Sequence, residues 1–305
     1  MYDLIIIGAG PAGLTAALFA GRYRLNTAIL EKLSIGGQII SSPTIENFPG
    51  FPGGISTQEL IERFKKQIEE LGINIEIQEV IEVAPKLKNS IYEVRTVDKT
   101  YQGKSIIIAT GAQPKKLGVE GEDKLIGRGV SYCGTCDGPL FKDKEIAVIG
   151  GGDRALEEAI FLSGYAKKVT LIHRRSELRA SKILQEKMQQ NKKINFILDS
   201  VVEEIKGQDK VEAVKIKNVK TNSSNLLSCQ GIFIFVGIKP NTGFLKNQIH
   251  MDEEGFIIAD QDSKTSCQGI FACGDCRKKS LYQVVSACAD GAIAADAAHK
   301  YLVNL

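Results

Sequence analysis

Two stretches of this 305-residue chain repeat one pattern that leaves them little choice of fold: an apolar run, a glycine-rich turn, a small-residue amphipathic stretch and a second apolar run. In the first, Leu4 to Ile7 leads into Gly8-Ala9-Gly10-Pro11-Ala12-Gly13, an Ala/Leu/Phe stretch, and then Thr27 to Leu30. In the second, Glu145 to Ile149 leads into Gly150-Gly151-Gly152-Asp153-Arg154-Ala155, an Ala/Leu/Glu stretch, and then Lys168 to Ile172. Short apolar runs separated by a helical stretch read as βαβ units, which build parallel sheets.

The glycines say what such units hold. The first allows a tight turn, the second lets backbone approach a pyrophosphate, the third small residue lets helix pack on strand, and the helix N-terminus attracts phosphate charge. The expected fold class is therefore α/β, with two Rossmann-like dinucleotide-binding domains. Glu31 follows Gly8 at the same spacing as His173 follows Gly150, so the two sites align without a gap. An acid at Glu31 hydrogen-bonds a ribose hydroxyl and disfavours a 2′-phosphate. The second site replaces it with His173-Arg174-Arg175 and, further on, Arg179. Arginines there make charge-assisted, bidentate bonds to phosphate, which points to the 2′-phosphate of NADPH.

A chain of this length divides into two domains more readily than it builds one core. Each unit closes on a β-rich run ending in glycine, then proline: Ile106 to Gly111 before Pro114, and Ile232 to Gly237 before Pro240. These read as crossings, giving a first segment over 1–112, an inserted domain over 113–242 and a return to the first domain over 243–305. The return carries a strand at Gly269 to Ala272, a Gly274-Asp275 turn and an Ala-rich helix from about Gln283. A net charge of +3 with dispersed lysines argues against a nucleic-acid partner. Leu4 to Gly21 is uncharged and reaches the roughly 18 residues that can cross a bilayer. Asp3 before it and its glycines make it a buried strand and helix, with no membrane role.

Seven cysteines without a signal-peptide pattern suggest a reducing cytoplasm, where a Cys-x-x-Cys pair is catalytic or metal-binding more often than a static staple. Cys133-Gly134-Thr135-Cys136-Asp137 lies between the first crossing and the second glycine turn. Such a pair closes a small disulfide ring and lowers a thiol pKa into roughly the 3.5–7.5 range, with Asp137 a candidate proton carrier. A second pair, Cys273-Gly274-Asp275-Cys276, is read as substitutions around a flavin-binding turn; a second redox centre is the competing reading. Zinc is disfavoured because the two pairs lie much further apart than the roughly 15–20 residues usual between knuckles. No metal site is expected, and Cys229, Cys267 and Cys288 read as structural.

Taken in order, these motifs make the chain resemble low-molecular-weight, bacterial-type thioredoxin reductases, the class II pyridine nucleotide-disulfide oxidoreductases. The matching stretches include Gly36-Gly37-Gln38, Glu46 to Gly50, Ala109-Thr110-Gly111, Cys133 to Asp137, Gly150 to Glu158, His173 to Ala180 and Gly269 to Asp275 with Gln283. The resemblance implies that Gly8, Gly10, Pro11, Ala12, Gly13, Glu31, Gly36, Gly37, Gln38, Asn47, Thr110, Gly111, Gly274, Asp275, Gln283 and Val284 bind FAD. It implies that Gly150, Gly152, Asp153, Arg154, Ala155, His173, Arg174, Arg175 and Arg179 bind NADPH. It further implies that Cys136 faces the flavin, Cys133 attacks the disulfide of thioredoxin or a thioredoxin-like protein, and Asp137 handles protons. A domain rotation in a homodimer is implied as well, with Gly111 and Gly237 as hinges. Three positions depart from the family pattern: Gly134 where Ala is usual, Arg154 where Ser or Thr is usual, and Tyr282 where Arg is usual. The competing readings are a ferredoxin-dependent flavin thioredoxin reductase and a flavin/disulfide redox sensor without turnover.

Overall fold

The computed structural model spans residues 1–305 and describes all of them except 42–43, 46, 85–90, 133 and 246–247. It forms two compact units, residues Met1–Gln113 with Lys239–Leu305, and residues Pro114–Ile238. Residues 239–242, given to the inserted segment on sequence grounds, belong instead with the first unit. Asn241 explains this, since its amide nitrogen donates to the carbonyl of Gly111 (3.0 Å) and its side chain donates to the carbonyl of Thr110 (2.9 Å). The crossing strands Ala112–Pro114 and Ile238–Pro240 run side by side as a two-stranded sheet.

The first unit is built on a seven-stranded sheet. Strand Tyr2–Ile7 pairs in parallel with Thr27–Glu31 on one side and Thr100–Ile108 on the other. Ile270–Ala272, from the returning segment, pairs in parallel with Thr100–Ile108, so the last part of the chain completes the first unit's sheet. Continuous Ile/Leu runs suit these strands because both faces are covered. Leu4, Ile6 and Ile107 face one core while Ile5, Ile106 and Ile108 face the other.

Helix α1 (Pro11–Arg22) starts where Pro, which has no N–H to leave unbonded, occupies the first turn. Helix α2 (Thr57–Glu69) is capped by Ser56, whose hydroxyl accepts from the amide of Glu59. The long C-terminal helix packs on α1 through small residues. A Cβ added at its Gly291 would collide with the carbonyl of Ala12. Alanines at 16, 17, 294, 295 and 298 share the interface.

The second unit holds a five-stranded parallel sheet in the order Val130–Ser131, Gly231–Ile234, Glu145–Ile149, Lys168–Ile172, Ile194–Ile197. A three-stranded antiparallel sheet, Ser200–Lys206, Ala213–Asn218 and Ser224–Ser228, accompanies it. Three helices follow in this unit: the short α3 (Gly134–Asp137), then α4 (Asp153–Ser163) and α5 (Lys182–Gln190). The last helix of the chain, α6, runs from Val284 to Val303. No helix among the described residues is long and apolar enough to cross a membrane.

Candidate active site

In the first unit the glycine turn is shaped by what it must pass. Gly8 has φ +105°, and a Cβ there would collide with the carbonyl of Ala109; one at Gly13 would collide with the carbonyl of Gly8. Gly10 is different: a Cβ there would meet nothing nearer than Gly37 Cα at 3.9 Å. The middle glycine therefore leaves an open cradle at the N-terminus of α1, as a bound pyrophosphate requires. Glu31, at the end of its strand, accepts from the Ala9 amide at 2.8 Å through Oε2 and from the Leu33 amide at 3.1 Å through Oε1. This fixes a carboxylate beside the turn.

The structure brings some of the other expected flavin-site residues to this turn and pairs others with one another. Gly36 donates to the carbonyl of Ala9 at 2.8 Å, bringing the Gly36-Gly37-Gln38 loop against Gly10. Gly274, at φ +72°, packs on Ala12 and donates to Asp290 Oδ2 at 3.2 Å, so its turn lies at the start of α1. Asn47 Nδ2 donates to Gln283 Oε1 at 3.1 Å, and Gln283 caps α6 in a reciprocal box with Ser286. Thr110 and Gly111 follow the strand end that faces Gly8. Their anchor, Asn241, escaped the sequence reading because nothing but the fold brings it to them.

Tyr282 is half-buried, its ring centroid 5.8 Å from that of Phe256. Two cations stand beside this turn: Lys279, 3.3 Å from Asp275 Oδ1 and 3.1 Å from Asp290 Oδ2, and Arg277, 3.7 Å from Asp290 Oδ1. Cys273 and Cys276 are both 0 % exposed, and burial pushes both thiols up, Cys276 to about 11. A thiol held protonated in this way is a poor nucleophile, which favours the flavin-turn reading of this pair over a second redox centre. Burial also raises Cys229, to about 12.

In the second unit, Gly150 has φ +152°, and a Cβ there would collide with the carbonyl of Phe235. Gly152 has nothing within 4 Å of a would-be Cβ, which leaves a second open cradle at the start of α4. Asp153 Oδ1 accepts from the Ser181 amide at 2.8 Å. The carbonyl of Gly151 accepts from the Arg179 amide at 2.7 Å, which ties Arg179 to the turn. Arg174, Arg175 and Arg179 are exposed, and Arg175 and Arg179 line a surface pocket of about 390 Å³ together with Glu177 and Asp199. Arg154 does not crowd the cradle: its guanidinium carbon lies 5.6 Å from the Phe235 ring centroid.

His173 needs correction as a member of the cationic cluster. It is 5 % exposed, with its ring packed against Gly151. Burial first, and the neighbouring arginines after it, hold its pKa below the usual histidine value. His173 is therefore a buried wall of the turn, set apart from the exposed arginines of the cluster.

Of the redox segment, Cys133 lies outside the described residues and Cys136 is described in its backbone only; Asp137 ends α3 and is half-buried. The chain just before Cys133 is held firmly. Glu122, 1 % exposed, accepts from the amides of Leu117 (2.9 Å) and Gly118 (2.6 Å) and from the Tyr132 hydroxyl (2.6 Å). Burial and this bond raise the Tyr132 pKa, so the phenol stays a donor. Just after Cys133, Gly134 donates its amide to Glu158 of α4. Neither glutamate was singled out from the sequence. Glu122 and Tyr132 are ten positions apart and Glu158 sits a domain element away from the motif. Among the described residues no group of three or more His, Cys, Asp or Glu is placed to hold a metal ion.

Comparison with known proteins shows the family of the chain. The family model described as pyridine nucleotide-disulphide oxidoreductase matches residues 2–291. A thioredoxin reductase of Peptoclostridium litorale is 44% identical, over 100% of this chain and 98% of its own. The crystal structure of Lactococcus lactis thioredoxin reductase superposes with a TM-score of 0.94 at 43% identity, over 100% of both chains. A ferredoxin-flavin thioredoxin reductase of Clostridium acetobutylicum is more distant, with TM-score 0.54 and 30% identity over 100% of this chain and 99% of that one. The chain belongs to the pyridine nucleotide-disulphide oxidoreductase family, among its low-molecular-weight thioredoxin reductases.

Proposed function

We propose that this chain is an NADPH-dependent thioredoxin-disulfide reductase. Electrons pass from NADPH through FAD and the Cys133-Cys136 disulfide to thioredoxin or a thioredoxin-like protein. The observation that carries the reading is the asymmetry of two otherwise matching nucleotide turns. One presents the fixed carboxylate of Glu31, while the other presents Arg174, Arg175 and an Arg179 tied to Gly151. Both cradles fit their groups, since Gly10 and Gly152 are the positions where a side chain would meet open space instead of protein.

FAD held at the first cradle would supply hydride acceptance from NADPH and two-electron reduction of a disulfide. The chain's own residues do the rest. Glu31 receives ribose hydroxyls, the N-termini of α1 and α4 offer amides to pyrophosphates, and the arginines hold the 2′-phosphate. In the reduced protein the Cys133 thiolate attacks one sulfur of the thioredoxin disulfide, and the other sulfur leaves and takes a proton. Cys136, deprotonated, then attacks the Cys133 sulfur; this releases the dithiol form of thioredoxin and re-forms the Cys133-Cys136 disulfide. Asp137 is the carboxyl that accepts and returns these protons. The same reading makes the protein a cytoplasmic homodimer, as the family resemblance implies, and its free thiols at Cys229, Cys267 and Cys288 suit a reducing compartment.

A coupled assay tests the overall reaction. Without oxygen, each NADPH consumed is expected to yield two new thiols on thioredoxin. NADPH oxidation without thiols, or thiols formed only when reduced ferredoxin replaces NADPH, would sink the proposal.

A further inference from the structure

Arg154 stands where the family usually carries Ser or Thr, so a guanidinium replaces a short neutral hydroxyl beside the second cradle. It is the second residue of α4, directly after Asp153, and it is exposed. Its guanidinium carbon lies 5.6 Å from the centroid of the Phe235 ring, within the range of a cation held over an aromatic face. Asp153, its neighbour, is committed to the Ser181 amide, and the charge of Arg154 reaches Glu157 and Glu158 only across the surface of the helix.

Which flank of the cradle this cation occupies follows from the sheet. Strand Glu145–Ile149 feeds the turn, with Lys168–Ile172 on one side and Gly231–Ile234 on the other. The strand order reverses here, and a dinucleotide lies across such a point with its diphosphate at the helix N-terminus. Arg174, Arg175 and Arg179 come after Lys168–Ile172, and His173 and Arg179 close on Gly151 from that side, which makes it the adenosine side. Phe235 follows the strand on the other side. Its amide donates to the carbonyl of Ile149 at 2.8 Å, and its own carbonyl is the atom that a Cβ on Gly150 would strike. Its ring shares a core with Ala155, Leu156 and Ala159 of α4. Arg154 is thus drawn to the flank opposite the other three arginines.

We propose that Arg154 is a positioning residue for the nicotinamide half of the nucleotide, its guanidinium binding the phosphate esterified to the nicotinamide ribose. The inference rests on the NADPH reading above and adds to it the phosphate that this arginine holds. A hydroxyl gives a phosphate oxygen one hydrogen bond, whereas a guanidinium gives a fixed charge and a two-pronged donor. The Phe235 ring, 8 % exposed, restrains the long side chain before the nucleotide arrives, which lowers the cost of ordering it. The arginines then divide by flank. Arg174 and Arg175 separate NADPH from NADH, and Arg154 grips a phosphate that both nucleotides carry.

The test titrates the FAD-loaded holoenzyme with NADP+ and with adenosine 2′,5′-bisphosphate in a calorimeter. The bisphosphate keeps the 2′-phosphate and lacks the nicotinamide-side phosphate. In Arg154→Ser the Kd for NADP+ is expected to rise roughly fivefold or more, and that for the bisphosphate to stay within about twofold. KM for NADPH and for NADH should rise by one common factor, unlike the unequal change expected when Arg174 and Arg175 are replaced. Arg154→Lys keeps the charge and loses the fork, so its NADP+ affinity should fall between those of Arg154→Ser and the wild type. An Arg154 that merely braced α4 would weaken both ligands alike. Equal losses for the two ligands in Arg154→Ser, or an unchanged NADP+ affinity, therefore overturn the proposal. A wild type that binds neither ligand would instead remove the NADPH reading, and the proposal with it.

Discussion

Cys136→Ser is expected to lower thioredoxin reduction to about one-thousandth of wild type or less, while FAD remains bound in normal amount. Without the second thiol the disulfide that links flavin to thioredoxin cannot form, so the loss is one of connectivity and no rearrangement elsewhere replaces it. The matching control is Cys273→Ser or Cys276→Ser. These thiols are 0 % exposed, free, and held protonated by burial. Either change should leave turnover within about twofold, with any deficit appearing as weaker flavin retention, because the pair surrounds the Gly274-Asp275 turn packed on Ala12. Stopped turnover in the Cys276 variant with survival in Cys136→Ser would reverse the assignment of the redox pair. Flavin absorbance of the purified variants, read beside the thioredoxin assay, separates lost chemistry from lost cofactor.

The second large effect concerns the electron donor. Arg174→Ala with Arg175→Ala should raise KM for NADPH roughly tenfold or more while changing KM for NADH by less than about twofold, with kcat for NADPH little altered. The reasoning is that a 2′-phosphate contact is present equally in ground and transition states, so its removal weakens binding without touching the hydride step. Both side chains are exposed. Salt should therefore weaken NADPH binding to the wild type more than to the variant. Equal changes for the two nucleotides would mean that these arginines do not read the phosphate. His173→Gln is not expected to mimic the effect, since His173 is buried against Gly151 while the arginines are exposed.

What could be read in the sequence, and what could not, divides by the range of the interaction. The glycine turns, the strands leading into them and Glu31 follow local rules: a positive φ at Gly8, a close approach at Gly13, an acid one strand away. Those rules are short-range and leave a visible pattern. The helix expected from about Gln283 begins at Val284 with Gln283 as its cap.

Groups that act through the fold leave no such pattern. Asn241 binds Thr110 from 131 positions away, and Tyr92 reaches the carbonyl of Gln268 from 176. The second crossing reads as lying at 242, whereas the compact units divide after Ile238, for this reason: Asn241 looks like part of the second segment until its bonds to the first are seen. His173 sits in a charged run of sequence, while in space its ring is buried against Gly151, a difference that only the fold reveals. Glu158 was visible only as part of a helix.

The most direct test of the central claim is an anaerobic titration of the purified flavoprotein with NADPH, followed by the flavin absorbance. The account predicts bleaching by near-stoichiometric NADPH, little bleaching at equal NADH, and recovery of the oxidised spectrum on adding oxidised thioredoxin, a recovery absent in Cys136→Ser. A flavin that stays oxidised with NADPH, or one that bleaches and is not reoxidised by thioredoxin, would contradict it.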